Sequence, residues 1–218
     1  MQEISRKERE RQVREDDILN AAEEIFSVLG VDGASMEEIA RKAQFTRKTV
    51  YQYFNSKEML LSAVVMRGFK ILLDYLRKET DCGSTGYDRL RIMGRAFFQF
   101  YKEKTAFFAM MNYSSRVRSL EDSKIGTEFD SVNKALFQLV SGAITDGITD
   151  GSIRPDIDVA MGTSSVIFAL TGFFFQYSIT GKTFTEYLSL DSDKFVQFTL
   201  DLLLDGFNAH TQPLSRRA

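Results

Sequence analysis

The chain has 218 residues, a mass of 24.9 kDa and a formal charge of −2, and 44% of its residues are hydrophobic. That is enough for a real core in one large domain or two small ones. The only cysteine, Cys82, forms no internal disulfide, which fits a reducing cytosol, and it reads as an incidental loop thiol. The only histidine, His210, lies far from Cys82 and close to the end of the sequence. No catalytic constellation, zinc site or cofactor site is expected from that set.

Residues 1–15 mix Arg6, Lys7, Arg9, Arg11 and Arg14 with Glu3, Glu8, Glu10 and Glu15. A signal peptide needs an apolar centre, and none is here. The longest mostly apolar run, 166–175, is too short to cross a bilayer. The expectation is a cytoplasmic chain with no membrane partner. The charged segment reads as a helical extension, with a flexible basic arm as the alternative.

From Asp17 onward, Ile18, Leu19, Ala22, Ile25, Phe26 and Leu29 form one helical stripe that Gly30 ends. Ser35 with Glu38 three residues on is a capping box, and Met36, Ile39, Ala40 and Ala43 follow at helical spacing. The segment 44–46 interrupts the pattern, and Thr46 has the hydroxyl of an N-cap. The next short helix turns Val50 and Phe54 inward at i, i+4 spacing. Arg47, Lys48, Thr49, Tyr51, Gln52 and Tyr53 are left for its other faces. Those groups suit a helix in a DNA major groove, with donors for base edges and for phosphates. From Arg41 to Lys57 there are five basic residues and no acidic one, so a +5 segment sits in a nearly neutral chain. Such a patch is the footprint of phosphate contact, although a merely solvated helical face has the same composition.

Taken together, residues 17–61 resemble the N-terminal DNA-binding domain of the TetR family of transcriptional regulators. The resemblance rests on the first helix ending in Gly30, the Gly33-Ala34-Ser35 loop, the Ile39-Ala40 pair, the Thr49-Val50-Tyr51-Gln52-Tyr53-Phe54 helix and the Ser56-Lys57-Glu58 helix start. One position departs: the family usually has glycine where Gln44 stands, which predicts a mildly strained turn or a slightly different one. The resemblance implies that Ser35, Thr46, Tyr51, Tyr53 and Lys57 hold phosphates and that Arg47, Lys48, Thr49 and Gln52 face base edges. It also implies a dimer on a palindromic operator, acting most simply as a repressor released by an effector.

A fourth helix is expected over 57–78, burying Leu60, Leu61, Val64, Val65, Phe69, Leu72, Leu73 and Leu76. At 1.5 Å per residue it is roughly 30 Å long. Residues 82–86 form a loop, and helices follow over 87–102, 105–116, 128–146, 159–177 and 192–209. No run alternates like a strand, so the fold class is all-α. A helix-turn-helix domain, 1–56, precedes a helical effector-binding and dimerisation domain, 57–218. The connector 148–156, ITDGSIRPD, resembles the corresponding loop of the family.

The second domain is dense in aromatic and Met residues, most of them explicable as core. The resemblance implies a cavity here for a small effector. Phe97, Phe108, Met111, Phe168 and Phe173 would line it, with Tyr101, Asn112, Tyr113 and Gln138 as polar anchors, which selects an apolar ligand. The last two long helices combine small residues (Gly162, Ser164, Ser165, Ala169, Gly172) with Phe195, Phe198, Leu202, Leu203 and Phe207. They suit a four-helix contact between two copies. Two other classes remain: an enzyme, and a ligand-binding or adaptor protein without DNA binding.

Overall fold

The computed structural model describes residues 5–111 and 124–210, and over these the chain is all-α. The helices are α1 (Arg6–Gly33), α2 (Met36–Lys42), α3 (Arg47–Tyr53), α4 (Lys57–Thr80), α5 (Gly86–Glu103), α6 (Thr105–Met111), α7 (Lys124–Asp150), α8 (Val159–Tyr187) and α9 (Ser192–Asp205). Among the described residues the one β feature is an isolated antiparallel bridge between Ile153 and Asn208. Two compact units divide the chain: Met1–Gly68 with Met110–Phe129, and Phe69–Ala109 with Asp130–Ala218. The division falls inside α4.

Helix α1 starts at Arg6, well before the expected start at Asp17. Ser5 caps it by accepting from the Glu8 N–H at 3.2 Å, and Arg6 pairs with Glu10 one turn on at 2.9 Å. The charged segment is therefore part of α1, as the helical-extension reading had it, with Arg6 and Glu10 paired along it. Gly30, at φ 71°, breaks the helix where expected. The chain turns there, so Val31 takes the buried place and Leu29 is 44% exposed, contrary to the expected stripe.

The core of the first unit is made by Ile18, Leu19, Ala22 and Phe26 of α1, Met36, Ile39 and Ala40 of α2, Val50 and Phe54 around α3, and Leu60, Leu61, Val64 and Val65 of α4. All eight apolar positions expected to be buried along α4 are buried. Arg67 of α4 ties back to α1, donating to Asn20 at 2.8 Å and to Glu23 at 2.5 Å.

In the second unit α5 packs on α8 and α9, and α8 packs on α9. Phe174 of α8 is fully buried, with the rings of Phe97, Phe98, Tyr101 and Phe108 at 5.2, 5.9, 5.3 and 5.9 Å between centroids. Three polar rungs join α5 to α9: Tyr87 Oη donates to Asp205 at 2.8 Å, Arg91 to Asp201 at 3.0 Å, and Lys102 to Asp193 at 3.4 Å. The α7–α8 connector is held by Arg154, only 2% exposed, whose guanidinium grips both carboxylate oxygens of Asp156 at 2.7 and 2.5 Å. That hydrogen-bonded guanidinium keeps the Asp156 carboxyl below the usual carboxylate range. The Arg154 N–H donates to the Phe207 carbonyl at 3.0 Å, closing the connector onto the end of α9.

Helix α8 runs to Tyr187, ten residues past the expected end at Tyr177. Gly181 lies inside the helix, and a Cβ there would lie 2.3 Å from the ring of Tyr177 one turn earlier. The helix stops where Ser189, at φ 52°, lets the Leu190 N–H reach the Thr185 carbonyl at 2.8 Å. At its full 29 residues α8 is long and apolar enough, by length and composition, to cross a membrane. The core helix of a soluble protein meets the same criterion, so this length and composition do not by themselves assign α8 to a bilayer.

Helix α5 begins at Gly86, a residue expected in the preceding loop, with Thr85 as N-cap. A Cβ on Gly86 would stand 2.1 Å from the Gly147 nitrogen and 2.3 Å from the Ala143 carbonyl oxygen, both backbone atoms of α7. Backbone yields less readily than a side-chain tip, so Gly86→Ala must move α5 away from α7. We predict a loss of roughly 3 kcal/mol, read as a fall in the midpoint of thermal unfolding. An unchanged midpoint would refute the close approach.

Candidate nucleic-acid interface

Helices α2 and α3 meet through a tight turn whose backbone geometry is explicit. The Phe45 N–H donates to the Ala40 carbonyl at 2.9 Å and the Gln44 N–H to the Arg41 carbonyl at 3.2 Å. This pair of bonds is a Schellman motif, with Gln44 in its left-handed position at φ 59°. The strained turn expected from the absent glycine is therefore present, and Gln44 accommodates it without altering the motif.

Both helices open on hydroxyl caps. Ser35 Oγ accepts from the Glu38 N–H at 3.2 Å while Glu38 accepts from the Ser35 N–H at 3.0 Å, completing the capping box. The Ser35 bonds hold the Glu38 carboxyl below its ordinary value. Thr46 Oγ1 accepts from the Thr49 N–H at 3.1 Å and lies 2.8 Å from the Thr49 hydroxyl. Ser35, Thr46 and Thr49 therefore have their hydroxyls engaged within the protein.

Val50 and Phe54, 0% and 4% exposed, set the rotation of α3 about its axis. Arg47, Lys48 and Gln52 consequently stand in solvent, Tyr51 is exposed, and Thr49 and Tyr53 are half-buried at the flanks. The Arg47 guanidinium carbon sits 5.4 Å from the centre of the Tyr51 ring, and Nη2 reaches Tyr51 Oη at 3.5 Å. That contact raises the Arg47 pKa further above its ordinary value.

Besides Arg47, two more of the five cations in the basic stretch have internal partners. Lys42 pairs with Glu24 of α1. Lys57, expected to await a phosphate, donates through Nζ to the carbonyls of Val31 at 2.8 Å and Ala34 at 2.9 Å. Those carbonyls end α1, where the helix dipole is negative and cations are favoured. An ammonium has three donors, so one N–H of Lys57 remains for an anion. Nothing near Lys57 in sequence pointed to Val31 and Ala34; the apposition is tertiary.

The residues expected to line an effector site scatter. Phe97 and Phe108 are buried, and Phe173 and Tyr101 half-buried, in the ring cluster of the second unit, which packs around Phe174. Burial pushes the Tyr101 phenol up, and the nearby Tyr177 adds to the shift. Phe168, at 82% exposed, and the exposed Gln138 face outward, so neither lines an interior cavity of this chain. Met111 is buried in the first unit. Asn112 and Tyr113 lie outside the described residues.

Comparison with known proteins reaches the same segment. Residues 18–64 match the family model described as bacterial regulatory proteins, tetR family. The transcriptional activator FasR of Mycolicibacterium smegmatis is 30% identical over 134 residues, a match covering 60% of this chain and 60% of FasR. The transcriptional repressor KstR2 of the same organism is 24% identical over 67% of this chain and 70% of its own. Among solved structures, FadR from Bacillus subtilis in complex with stearoyl-CoA superposes with a TM-score of 0.68 at 18% identity, over 88% of this chain and 99% of that one.

Two substitutions test the local geometry. Gln44→Gly relieves the left-handed strain and is predicted to stabilise the protein by about 1 kcal/mol. Lys57→Met removes both bonds to the end of α1 and is predicted to cost about 2 kcal/mol in thermal or denaturant unfolding. A fully stable Lys57→Met protein would show that the ammonium does not hold the α1–α2 loop.

Proposed function

We propose that this chain, whose residues 18–64 match the tetR family of bacterial regulatory proteins, is a member of that family and a dimeric, cytoplasmic transcriptional repressor, released from a palindromic operator by a small apolar effector. The observation that carries the DNA-binding part is the rotation of α3. Its apolar side is locked inward, leaving Arg47, Lys48 and Gln52 exposed beside Tyr51. These side chains supply the donors and acceptors that base edges and phosphates take. Lys48 and Gln52 stand at i, i+4 spacing on one exposed face. Tyr51, Tyr53, Ser35 and Thr46 would hold phosphates in this reading, and Lys57 retains one donor for another.

One seven-residue helix reads few bases, so a two-fold pair reading two half-sites is required for specificity. The apolar face that would make the pair is on α8 and α9. Met161 and Phe168 of α8 are 71% and 82% exposed, and Phe198 and Leu202 of α9 are both 67% exposed. A stripe of that size, in contiguous packed helices, supports an interface between copies more than a bare surface. Gly172 lies on the same side, with open space where a Cβ would stand, so a partner helix could approach its backbone closely. In this reading Phe168 serves the interface and not the effector site.

For the effector, the ring cluster around Phe174 supports an apolar ligand, with the Tyr101 hydroxyl as a polar anchor. Stearoyl-CoA bound to the B. subtilis FadR makes acyl-CoA thioesters the first class to try. Entry of an acyl chain would require the rings to part, and an equilibrium shifts only as far as the ligand prefers the opened state. Coupling of about 1–3 kcal/mol suffices for operator release.

Selection of bound duplexes from a random library tests the reading directly. A palindromic consensus is expected, with affinity falling steeply as salt rises. Arg47→Ala should change the preferred sequence, whereas Lys57→Ala should weaken all duplexes alike. Phe198→Asp should give a monomer in sedimentation that no longer binds the palindrome. A wild-type monomer at micromolar concentration, or no salt-sensitive binding to any duplex, would reject the reading.

A further inference from the structure

Resting on the reading of α3 as the helix that meets base edges, we propose that Tyr51 is a positioning residue for Arg47, and that this pair sets the base preference of α3 at one position of each half-site. The two residues stand one helical turn apart, so their side chains share a face of α3. The guanidinium carbon lies 5.4 Å from the ring centre, inside the roughly 6 Å reach of a cation–π contact. The hydrogen bond to Tyr51 Oη is long, at 3.5 Å, so the ring is the main support and the phenol can still turn to a phosphate.

A free arginine samples many rotamers, and ordering it on a base opposes binding. Arg47 rests on the ring before any DNA arrives, so less ordering is left for the complex. A guanidinium lying along an aromatic face keeps edge N–H groups exposed. Two parallel donors of that kind match the O6 and N7 acceptors of guanine in the major groove. The neighbouring hydroxyls offer no rival partner, since those of Thr46 and Thr49 lie 2.8 Å apart and Thr46 also caps the helix. Local spacing suggested a list of exposed side chains. The structure shows which two of them touch.

The test compares base preference in Tyr51→Phe and Tyr51→Leu, each full-length and folded by helicity. Preference is read by selection from a random library and by affinities for the selected duplex and its single-base variants. Tyr51→Phe keeps the ring and is expected to retain the preferred base while binding all duplexes somewhat more weakly. Tyr51→Leu removes the ring and is expected to relax discrimination against single-base variants by about two- to fivefold per half-site, the range an exposed cation–π contact supplies. In an Arg47→Ala background the Tyr51→Leu change should then have no further effect on preference, because the two residues act as one unit. Should Tyr51→Leu not fold, Tyr51→Gln serves the same arm. Weakening by Tyr51→Leu that is equal for every duplex, with the ranking of bases intact, would overturn the proposal while leaving DNA binding standing. If the wild type binds no duplex, the DNA-binding reading falls first and this inference falls with it.

Discussion

The burial of Val50 and Phe54 is the constraint on which the exposed face of α3 depends. A seven-residue helix has little stability of its own, since helices this short are marginal without tertiary packing. Two apolar side chains four residues apart dock it on the first unit and remove its freedom to rotate. Once that face is committed inward, the placement of the charged and amide groups follows from helical geometry. Arg47, Lys48 and Gln52 are outward because the alternative would bury two charges and an amide without partners.

Around that docked helix the chain spends its polar groups on holding the frame. Glu38 and Ser35 close the start of α2, Thr46 and Thr49 close the start of α3, and Lys57 closes the end of α1. Gln44 accepts a left-handed backbone so that the turn keeps its two motif bonds. Several of the groups suited by type to DNA contact are therefore also structural. A change at Lys57 or Ser35 acts on the frame, so any test of their contact with DNA needs a stability measurement beside it.

The second unit solves a different problem. Its aromatic residues are too numerous to face one way, and they divide. Phe97, Phe100, Phe108 and Phe174 close into an interior cluster with edge-to-face and tilted contacts. Phe168 and Phe198 stand outward on α8 and α9. The interior set explains how α5 and α8 cohere. The outward set leaves a large apolar area that a second copy would remove from water. Polar ties at Tyr87–Asp205, Arg91–Asp201 and Arg154–Asp156 keep α5, α9 and the α7–α8 connector in register beneath that face.

What the sequence determined by itself is the local layer: helical periodicity, the buried positions of α4, the caps at Ser35 and Thr46, the break at Gly30 and the inward face of α3. Each of these is a relation between residues three or four apart, and such relations are written in the order of the letters. Tertiary structure decided what depended on residues distant in the chain. It paired Lys57 with the carbonyls of Val31 and Ala34, and turned Phe168 and Gln138 outward. It also made Gly86 the point where α5 meets the backbone of α7. Composition identifies a cation or a ring, but only the packed chain says what stands opposite it.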